Sequence, residues 1–331
     1  SPNNADHNRP VFVFIHGGAF ENGSKEQTAI VNMANFYASR GWVFISIDYR
    51  LKDELGTVPA EWANIATTLP VSDEDKASFN AMYPALRDAK AALRWMVANK
   101  DRYNINVNYI TVGGASAGAN TAKGIVLSEI GDFTDEISIS EDPSLASTNV
   151  GVEYEVRTIV DFWGGQSVTD AFEIVYGRDL FDRTDPVLYK AHGTADFTVP
   201  FSSALELQSI YDSIEVTMKL DTLVGIGHGN FDATLAGNRL EALAFDFITA
   251  QQYLRVEEGV AYKYPSWNLP LLWIRSGSGR NLVRRERARE GTQATFCWSC
   301  LRIIRSSRSK GMISMAKFSP EATGWCSNFS R

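Results

Sequence analysis

The chain has 331 residues, of which 44% are hydrophobic and 21% charged, and its formal net charge is −7. This composition is typical of a globular protein that buries a sizeable core, in one large α/β domain or two ordinary ones. It excludes an intrinsically disordered chain, and no apolar run reaches the roughly 20 residues of a membrane-spanning helix.

Apolar runs alternate with helical periodicities over most of the chain. In order, we predict a strand at Val11–Ile15, a helix at Gln27–Arg40, a strand at Val43–Asp48, a helix at Ala81–Lys100, a strand at 109–113, a helix from about Ala117 to Glu129, a strand at Thr158–Trp163, a short helix within Asp170–Arg183, a strand at Val187–His192, a helix at Ser202–Ser213, a strand at Val216–Leu223 and a helix from about Asp232 to Leu254. This alternation favours an α/β fold with a doubly wound, mostly parallel sheet. Two less regular segments, about 52–78 and 131–183, are interpreted as cap elements.

The pattern Gly114-Ala115-Ser116-Ala117-Gly118 lies between a predicted strand and a predicted helix. A sharp strand-to-helix turn strains the serine backbone, so its neighbours must be small, as they are here. The turn also exposes the hydroxyl near a helix N-terminus, where negative charge is favoured. An ordinary Gly/Ser turn is the alternative interpretation.

A second glycine-rich turn, His16-Gly17-Gly18-Ala19, follows the first predicted strand. Two glycines there let backbone N–H groups face a site without side chains in the way, which is what an oxyanion hole requires. By itself the turn is equally compatible with a simple strand-to-loop connection. Sites in parallel sheets form at the carboxyl ends of strands, so the two turns are expected to lie close together.

A serine nucleophile needs a general base, and the chain has only four histidines. His7 lies in the polar N-terminal stretch and His16 opens the glycine turn. His192 falls at the end of a strand, where a structural role is favoured. His228, between two glycines of a loop, is the best candidate for the base.

The base in turn needs a carboxylate that fixes its tautomer and stabilises the imidazolium. Asp196 follows a predicted strand in a tight turn and is the favoured residue. Asp161 lies within a strand. Asp232 is close to His228 in sequence but is placed to cap a helix instead.

Residues 9–255 resemble the α/β-hydrolase esterase/lipase family, in particular carboxylesterases and hormone-sensitive-lipase-like enzymes. The motifs that carry the resemblance, in the order of the family, are His16-Gly17-Gly18-Ala19, Asp48-Tyr49-Arg50-Leu51, Gly114-Ala115-Ser116-Ala117-Gly118, and His192-Gly193-Thr194-Ala195-Asp196 with His228 downstream. Family members usually have two or more strands before the His-Gly-Gly strand. Here that strand stands almost first, so either front strands are missing or the sheet is shorter.

The resemblance implies a serine carboxylic-ester hydrolase that needs neither a metal nor an organic cofactor. Ser116 would be the nucleophile, His228 the general base and Asp196 the residue that orients it. The backbone N–H groups of Gly17, Gly18 and Ala117 would form the oxyanion hole. The expected substrate is a small-molecule or lipid ester.

Aromatic side chains supply the candidates for the wall of a substrate pocket, namely Trp62, Trp163 and Phe197, with Phe162 and Phe172 as further possibilities. Within hydrolases, the alternatives are an acetyl-xylan or feruloyl-type esterase and a serine peptidase. A catalytically silent hydrolase scaffold that only binds is an alternative of a different class.

Residues 256–331 differ in composition from the rest and are interpreted as a basic tail outside the catalytic domain of residues 1–255. Residues 275–331 hold 12 Lys and Arg against 3 Asp and Glu, a net +9, which leaves −16 for residues 1–274. An acidic body argues against nucleic acid as a partner. All three cysteines lie in the tail, and the lone Cys297-Trp298-Ser299-Cys300 has too few neighbouring ligands to predict a zinc site. A basic segment can bind nucleic acid or anionic lipid, a non-native or out-of-frame extension is the alternative, and an ordered tail would lie on the acidic body.

Overall fold

A six-stranded parallel sheet organises the protein. A computed structural model describes residues 9–54, 56–134, 137–258 and 272–276. The strands are β1 (Arg9–Ile15), β2 (Val43–Ile47), β3 (Ile105–Ala115), β4 (Thr158–Phe162), β5 (Val187–Gly193) and β6 (Met218–Leu223). Their order across the sheet is β2-β1-β3-β4-β5-β6. The predicted parallel sheet is therefore confirmed, with β2 at one edge of the described strands.

Helices cover both faces of this sheet. They are α1 (Thr28–Ala38), α2 (Ala60–Thr68), α3 (Asp73–Ala98), α4 (Lys100–Tyr103), α5 (Ala117–Leu127), α6 (Ser167–Tyr176), α7 (Phe201–Ser213) and α8 (Leu240–Gln251), with a 3₁₀ helix at Pro143–Ser147. Helices α1 and α8 pack on one face, and α2, α3, α5 and α6 pack on the other.

The alternation of side chains along β1 explains the two cores. Val11, Val13 and Ile15 belong to the cluster that α3 and α5 cover, whereas Phe12 and Phe14 belong to the cluster beneath α1 and α8. Successive residues of a strand point to opposite faces, so a continuous apolar run is what a sheet covered on both sides requires.

Besides shifts of a few residues at the ends of elements such as β3 and α6, two parts of the fold differ from the predictions. The segment 52–78 contains α2 and the first turn of α3, which begins eight residues earlier than expected because the Ser72 side chain caps it by accepting from the Asp75 N–H. The helix predicted from Asp232 begins only at Leu240. A short hairpin precedes it, formed by β7 (Thr234–Leu235) and β8 (Asn238–Arg239), and its turn places Gly237 at φ 81°.

The chain continues after α8 into a two-stranded antiparallel sheet of β9 (Leu254–Glu258) and β10 (Leu272–Ser276). The cysteines and most of the predicted basic tail lie outside the described residues. Among the helices of the described part, none is both long enough and apolar enough to span a membrane.

Candidate active site

Ser116 occupies a strained corner between β3 and α5. Its backbone has φ 54° and ψ −122°, a conformation that a residue with a side chain rarely adopts. A Cβ on Gly114 would lie 2.4 Å from the backbone carbonyl of Gly118, and one on Gly118 would lie 2.1 Å from the Ile15 carbonyl oxygen. Neither position therefore accommodates a side chain. The corner is held by the Ser116 N–H, which donates to the Phe162 carbonyl at 2.9 Å.

The turn after β1 lies directly against this corner. A Cβ on Gly17 would come within 2.6 Å of the Ala115 carbonyl oxygen and 3.1 Å of the Ser116 Cβ. Gly18, Ala19 and Phe20 follow with φ of 124°, 55° and 62°, so the chain turns sharply away from β1. The structure thus brings the backbone of the glycine turn beside Ser116, as the sequence predicts.

His228 bridges Ser116 and Asp196. Its Nε2 atom is 2.9 Å from the Ser116 Oγ and its Nδ1 atom is 2.7 Å from the Asp196 Oδ2. The imidazole side chain is 21% exposed whereas the Asp196 side chain is fully buried. These distances fit a tautomer in which Nδ1–H donates to the carboxylate and Nε2 accepts from the serine hydroxyl.

The surroundings of Asp196 favour its ionised form. The backbone N–H groups of Thr198 and Val199 donate to its Oδ1 atom at 2.9 and 2.8 Å. Burial by itself would raise the pKa of Asp196, but these N–H groups and the His228 imidazole outweigh it and hold the pKa below its ordinary value. The carboxylate is therefore charged at neutral pH.

The other histidines have structural contacts. His192 is buried, with its Nε2 atom 2.9 Å from the Val199 carbonyl oxygen, and burial together with the Lys190 ammonium lowers the pKa of His192. His16 is buried and stacks on Tyr49 with ring centroids 4.4 Å apart.

The rival carboxylates contact cationic side chains other than His228. Asp161 is fully buried between two lysine ammonium groups. Asp232 is 91% exposed and lies 3.4 Å from Arg239. The structure therefore brings together Ser116, His228 and Asp196.

The aromatic candidates for the pocket have different fates. Trp163 is buried beside the site, with its ring centroid 6.3 Å from His228 and 4.9 Å from Phe231. Trp62 has no exposed surface, and its Nε1–H donates to the Phe79 carbonyl at 3.0 Å. It is a core residue here, which corrects the expectation that it lines a pocket. Phe197, next to Asp196, is 96% exposed rather than enclosed.

Sequence reasoning missed two supports of the site. The Tyr49 hydroxyl donates to the His16 carbonyl at 3.0 Å and so braces the glycine turn, and the Asp48-Tyr49-Arg50-Leu51 motif was the available signal. Lys123 of α5 and Lys190 of β5 meet Asp161 of β4. The sequence signals for this contact are a carboxylate within the apolar run of β4 and a lysine within that of β5.

The family model described as BD-FAE matches residues 1–70 and 69–179, which together span more than half of the chain. The chain belongs to this α/β-hydrolase esterase family. BD-FAE membership confirms the resemblance that the sequence motifs indicate, and the matched residues include the glycine turn and the serine corner.

Three curated relatives share parts of the chain. Esterase LipC of Mycobacterium tuberculosis is 27% identical over 54% of this chain and 32% of its own length. Juvenile hormone esterase of Heliothis virescens is 31% identical over 37% of this chain and 18% of its own. Gut esterase 1 of Caenorhabditis elegans is 28% identical over 36% and 18%. The BD-FAE chain thus matches about a third or less of each relative's length.

Solved structures agree on the fold. Thermogutta terrifontis esterase 2 phosphorylated by paraoxon has a TM-score of 0.53 and 20% identity, with 76% of this chain and 85% of that chain covered. A truncated carbohydrate esterase from gut microbiota has a TM-score of 0.54 and 18% identity, with 76% and 88% covered. At these identities the likeness establishes the α/β-hydrolase fold of the BD-FAE chain.

Proposed function

We propose that the protein is a serine carboxylic-ester hydrolase that works through an acyl-enzyme. The observation that carries the proposal is the continuous set of contacts from Ser116 Oγ to His228 Nε2 at 2.9 Å and from His228 Nδ1 to Asp196 Oδ2 at 2.7 Å. A serine beside a base that a buried carboxylate orients is the arrangement that activates a hydroxyl. Membership of the BD-FAE family and the esterase relatives support the same reaction.

In the first half of the proposed reaction, Ser116 Oγ attacks the ester carbonyl carbon while its proton passes to His228 Nε2. The tetrahedral intermediate then collapses: the bond between the carbonyl carbon and the alcohol oxygen breaks, and His228 returns the proton to the leaving alcohol. In the second half, His228 takes a proton from water while the water oxygen attacks the acyl carbonyl carbon. The second tetrahedral intermediate collapses as the bond between that carbon and Ser116 Oγ breaks, His228 returns the proton to Oγ, and the acid is released.

Two features of the site support the charge changes in this sequence. The Asp196 carboxylate, with its pKa below the ordinary value, stabilises the imidazolium that forms in each half. The proposed oxyanion hole consists of the backbone N–H groups of Gly17, Gly18 and Ala117. Its support is the packing of Gly17 against Ser116 and the position of Ala117 at the N-terminus of α5, which favours negative charge.

The test is hydrolysis of p-nitrophenyl esters with acyl chains from acetyl to palmitoyl, together with mass spectrometry after paraoxon treatment. We expect turnover and one covalent phosphoryl group per chain, both lost in Ser116→Ala. Ser213→Ala, at the exposed end of α7, is the matched control and should keep both.

The outcome also identifies the substrate class. A maximum on short chains indicates an esterase, and a maximum on long chains that rises at an oil–water interface indicates a lipase. Activity restricted to acetylated or feruloylated xylan, or to peptides, would favour those hydrolases. If the folded protein shows no Ser116-dependent turnover on any of these substrates, the proposal is overturned. The catalytically silent scaffold would then be the remaining interpretation.

A further inference from the structure

Three charged side chains meet in the core where helix α5 packs on strands β4 and β5. Lys123, Asp161 and Lys190 are each completely buried. The Lys123 Nζ contacts the Asp161 Oδ2, and the Lys190 Nζ donates to the Asp161 Oδ1 at 2.8 Å. Two ammonium groups and one carboxylate leave this cluster with a net charge of +1 when all three are ionised.

Such a cluster is costly to bury unless further hydrogen bonds satisfy it. Burial lowers the pKa of Lys190 to about 8, whereas the two ammonium groups outweigh burial and hold the pKa of Asp161 well below its ordinary value. Asp161 and Lys190 are therefore charged at pH 7. One lysine is enough to neutralise the Asp161 carboxylate. A role for the second lysine, Lys190, is therefore sought in its other contacts.

The second lysine and Asp161 together hold Gly164 in the loop after β4. Lys190 Nζ donates to the Gly164 carbonyl at 2.6 Å, and the Gly164 N–H donates to Asp161 Oδ1 at 2.7 Å. Both backbone polar groups of Gly164 are thus bound by this pair. Asp161 and Lys190 are also direct partners in the β4–β5 register, so the two strands present the pair side by side. Lys123, by contrast, contacts Asp161 and the Ala119 carbonyl.

The loop that Gly164 belongs to supports two parts of the site. The Phe162 carbonyl accepts from the Ser116 N–H at 2.9 Å and so holds the strained corner. Trp163 has φ 44°, its N–H donates to the Ala191 carbonyl at 3.0 Å, and its ring lies beside the His228 imidazole. A shift of Gly164 would therefore reach both the nucleophile and the base.

We propose that Lys190, with Asp161, is a positioning residue that fixes the Phe162–Gly164 turn and thereby aligns Ser116 with His228. The inference rests on the ester-hydrolase function proposed above. In this role Lys190 touches neither substrate nor the reacting atoms. Lys190 instead increases the fraction of molecules in which the Ser116 hydroxyl and the His228 imidazole are aligned for attack on the substrate.

Lys190→Met and Lys123→Met are the decisive pair of variants. Each removes one ammonium group from the same cluster and leaves one lysine with Asp161, but only Lys190→Met removes the donor to Gly164. We expect Lys190→Met to lower kcat about 10- to 100-fold with KM changed less than about twofold, because a misplacement near 1 Å costs that much. Lys123→Met should lower kcat clearly less than Lys190→Met does.

Lys90→Met is the control for removing a buried lysine elsewhere. Lys90 has no exposed surface and donates to the Glu129 and Asp132 carbonyls at the far end of α5. The Lys90→Met variant should have a changed melting temperature and the kcat of the wild type. Lys190→Gln keeps an N–H donor, so it should recover part of the kcat that Lys190→Met loses. It also provides the measurement if the methionine variant does not fold.

Two results would overturn the inference without touching the proposed function. One is equal kcat for folded Lys190→Met and Lys123→Met, and the other is a change in Lys190→Met confined to KM or to melting temperature. Failure of the proposed function itself looks different, since the wild type would then show no Ser116-dependent turnover to compare.

Discussion

The contact between Asp196 and His228 provides a test at the scale of one atom. Asp196→Asn preserves the shape of the side chain but presents an amide that favours the wrong imidazole tautomer. We expect kcat on a p-nitrophenyl ester to fall by about 10³- to 10⁴-fold, with the melting temperature little changed. Asp232→Asn removes an exposed carboxylate near His228 in sequence and should leave kcat unchanged. Equal effects of the two variants would contradict the assignment of Asp196.

Gly118 is a second residue whose replacement has a sharp expected effect. A Cβ there would meet the Ile15 and His16 carbonyl oxygens at 2.1 and 2.4 Å, and backbone atoms cannot move aside without displacing β1. Gly118→Ala should therefore separate Ser116 from the glycine turn and lower kcat/KM by about 100-fold or more.

Gly124→Ala, in the same helix, is the comparison for Gly118→Ala. Its Cβ would meet only side-chain atoms of Val168 and Leu86, which can rotate at a smaller cost. Steady-state kinetics and melting temperatures of both variants give the answer. A kcat/KM for Gly118→Ala as high as that of Gly124→Ala would show that the corner tolerates displacement.

Among the elements, α3 depends on its first turn. Ser72 accepts from the Asp75 N–H at 3.1 Å, and the first turn carries three acidic residues that favour the helix N-terminus. Ser72→Ala should reduce the free energy of unfolding by about 1 kcal/mol, measured by urea titration, with kcat unchanged. Ser147→Ala, another exposed serine with a local hydrogen bond, should cost less. A loss in Ser72→Ala no larger than in Ser147→Ala would remove the capping explanation.

The elements that sequence reasoning predicts well are those with one dominant signal. Strand β1 is a continuous apolar run from Val11 to Ile15 because both faces of the sheet are covered, and helix α3 is amphipathic over its second half. The start of α3 is polar and exposed, so periodicity misses it, and only the Ser72 cap marks it. The hairpin before α8 depends on a turn at Gly237, which a helical pattern of neighbouring residues conceals.

Predictability of the site follows the same division. Ser116, His228 and Asp196 can be found because the chain has few histidines and because parallel strands bring their carboxyl ends together. The Lys123–Asp161–Lys190 cluster has no spacing that identifies it, since its members come from three separate elements. Trp62 shows the opposite error, because an aromatic residue in a polar segment can still be core.

At the scale of the whole molecule, five adjacent strands each deliver one part of the proposed site. The glycine turn follows β1, Ser116 follows β3, Trp163 follows β4, Asp196 follows β5 and His228 lies in the loop after β6. In a parallel sheet the carboxyl ends of the strands lie at the same end of the sheet. Segments that are distant in sequence therefore meet there through the loops that follow the strands. Changes that shift one strand along its neighbour should therefore alter activity before they unfold the protein.

The pH dependence of global stability should include a contribution from Asp185. Burial and the nearby Asp182 and Asp179 carboxylates raise the pKa of Asp185 to about 7, although the Asp182 N–H bond opposes the shift. Its unfolded pKa is about 3.9. Since the folded pKa is the higher one, the contribution of Asp185 to stability is complete below about pH 4 and is lost as pH rises through 7.

Asp185→Asn removes this penalty, because an amide does not ionise. We expect the variant to gain more stability relative to the wild type at pH 8 than at pH 5, measured as melting temperatures at both values. A difference between variant and wild type that is the same at the two pH values would exclude titration of Asp185 as its cause.

The backbone conformation of Ser116 also implies a trade-off between the stability of the folded protein and its turnover. Glycine adopts φ 54° and ψ −122° without steric strain, whereas serine in this conformation is strained by an energy on the order of 1–3 kcal/mol. Ser116→Gly should accordingly melt higher than the wild type while losing turnover. A melting temperature of Ser116→Gly no higher than that of the wild type would show that this backbone conformation carries no strain for serine.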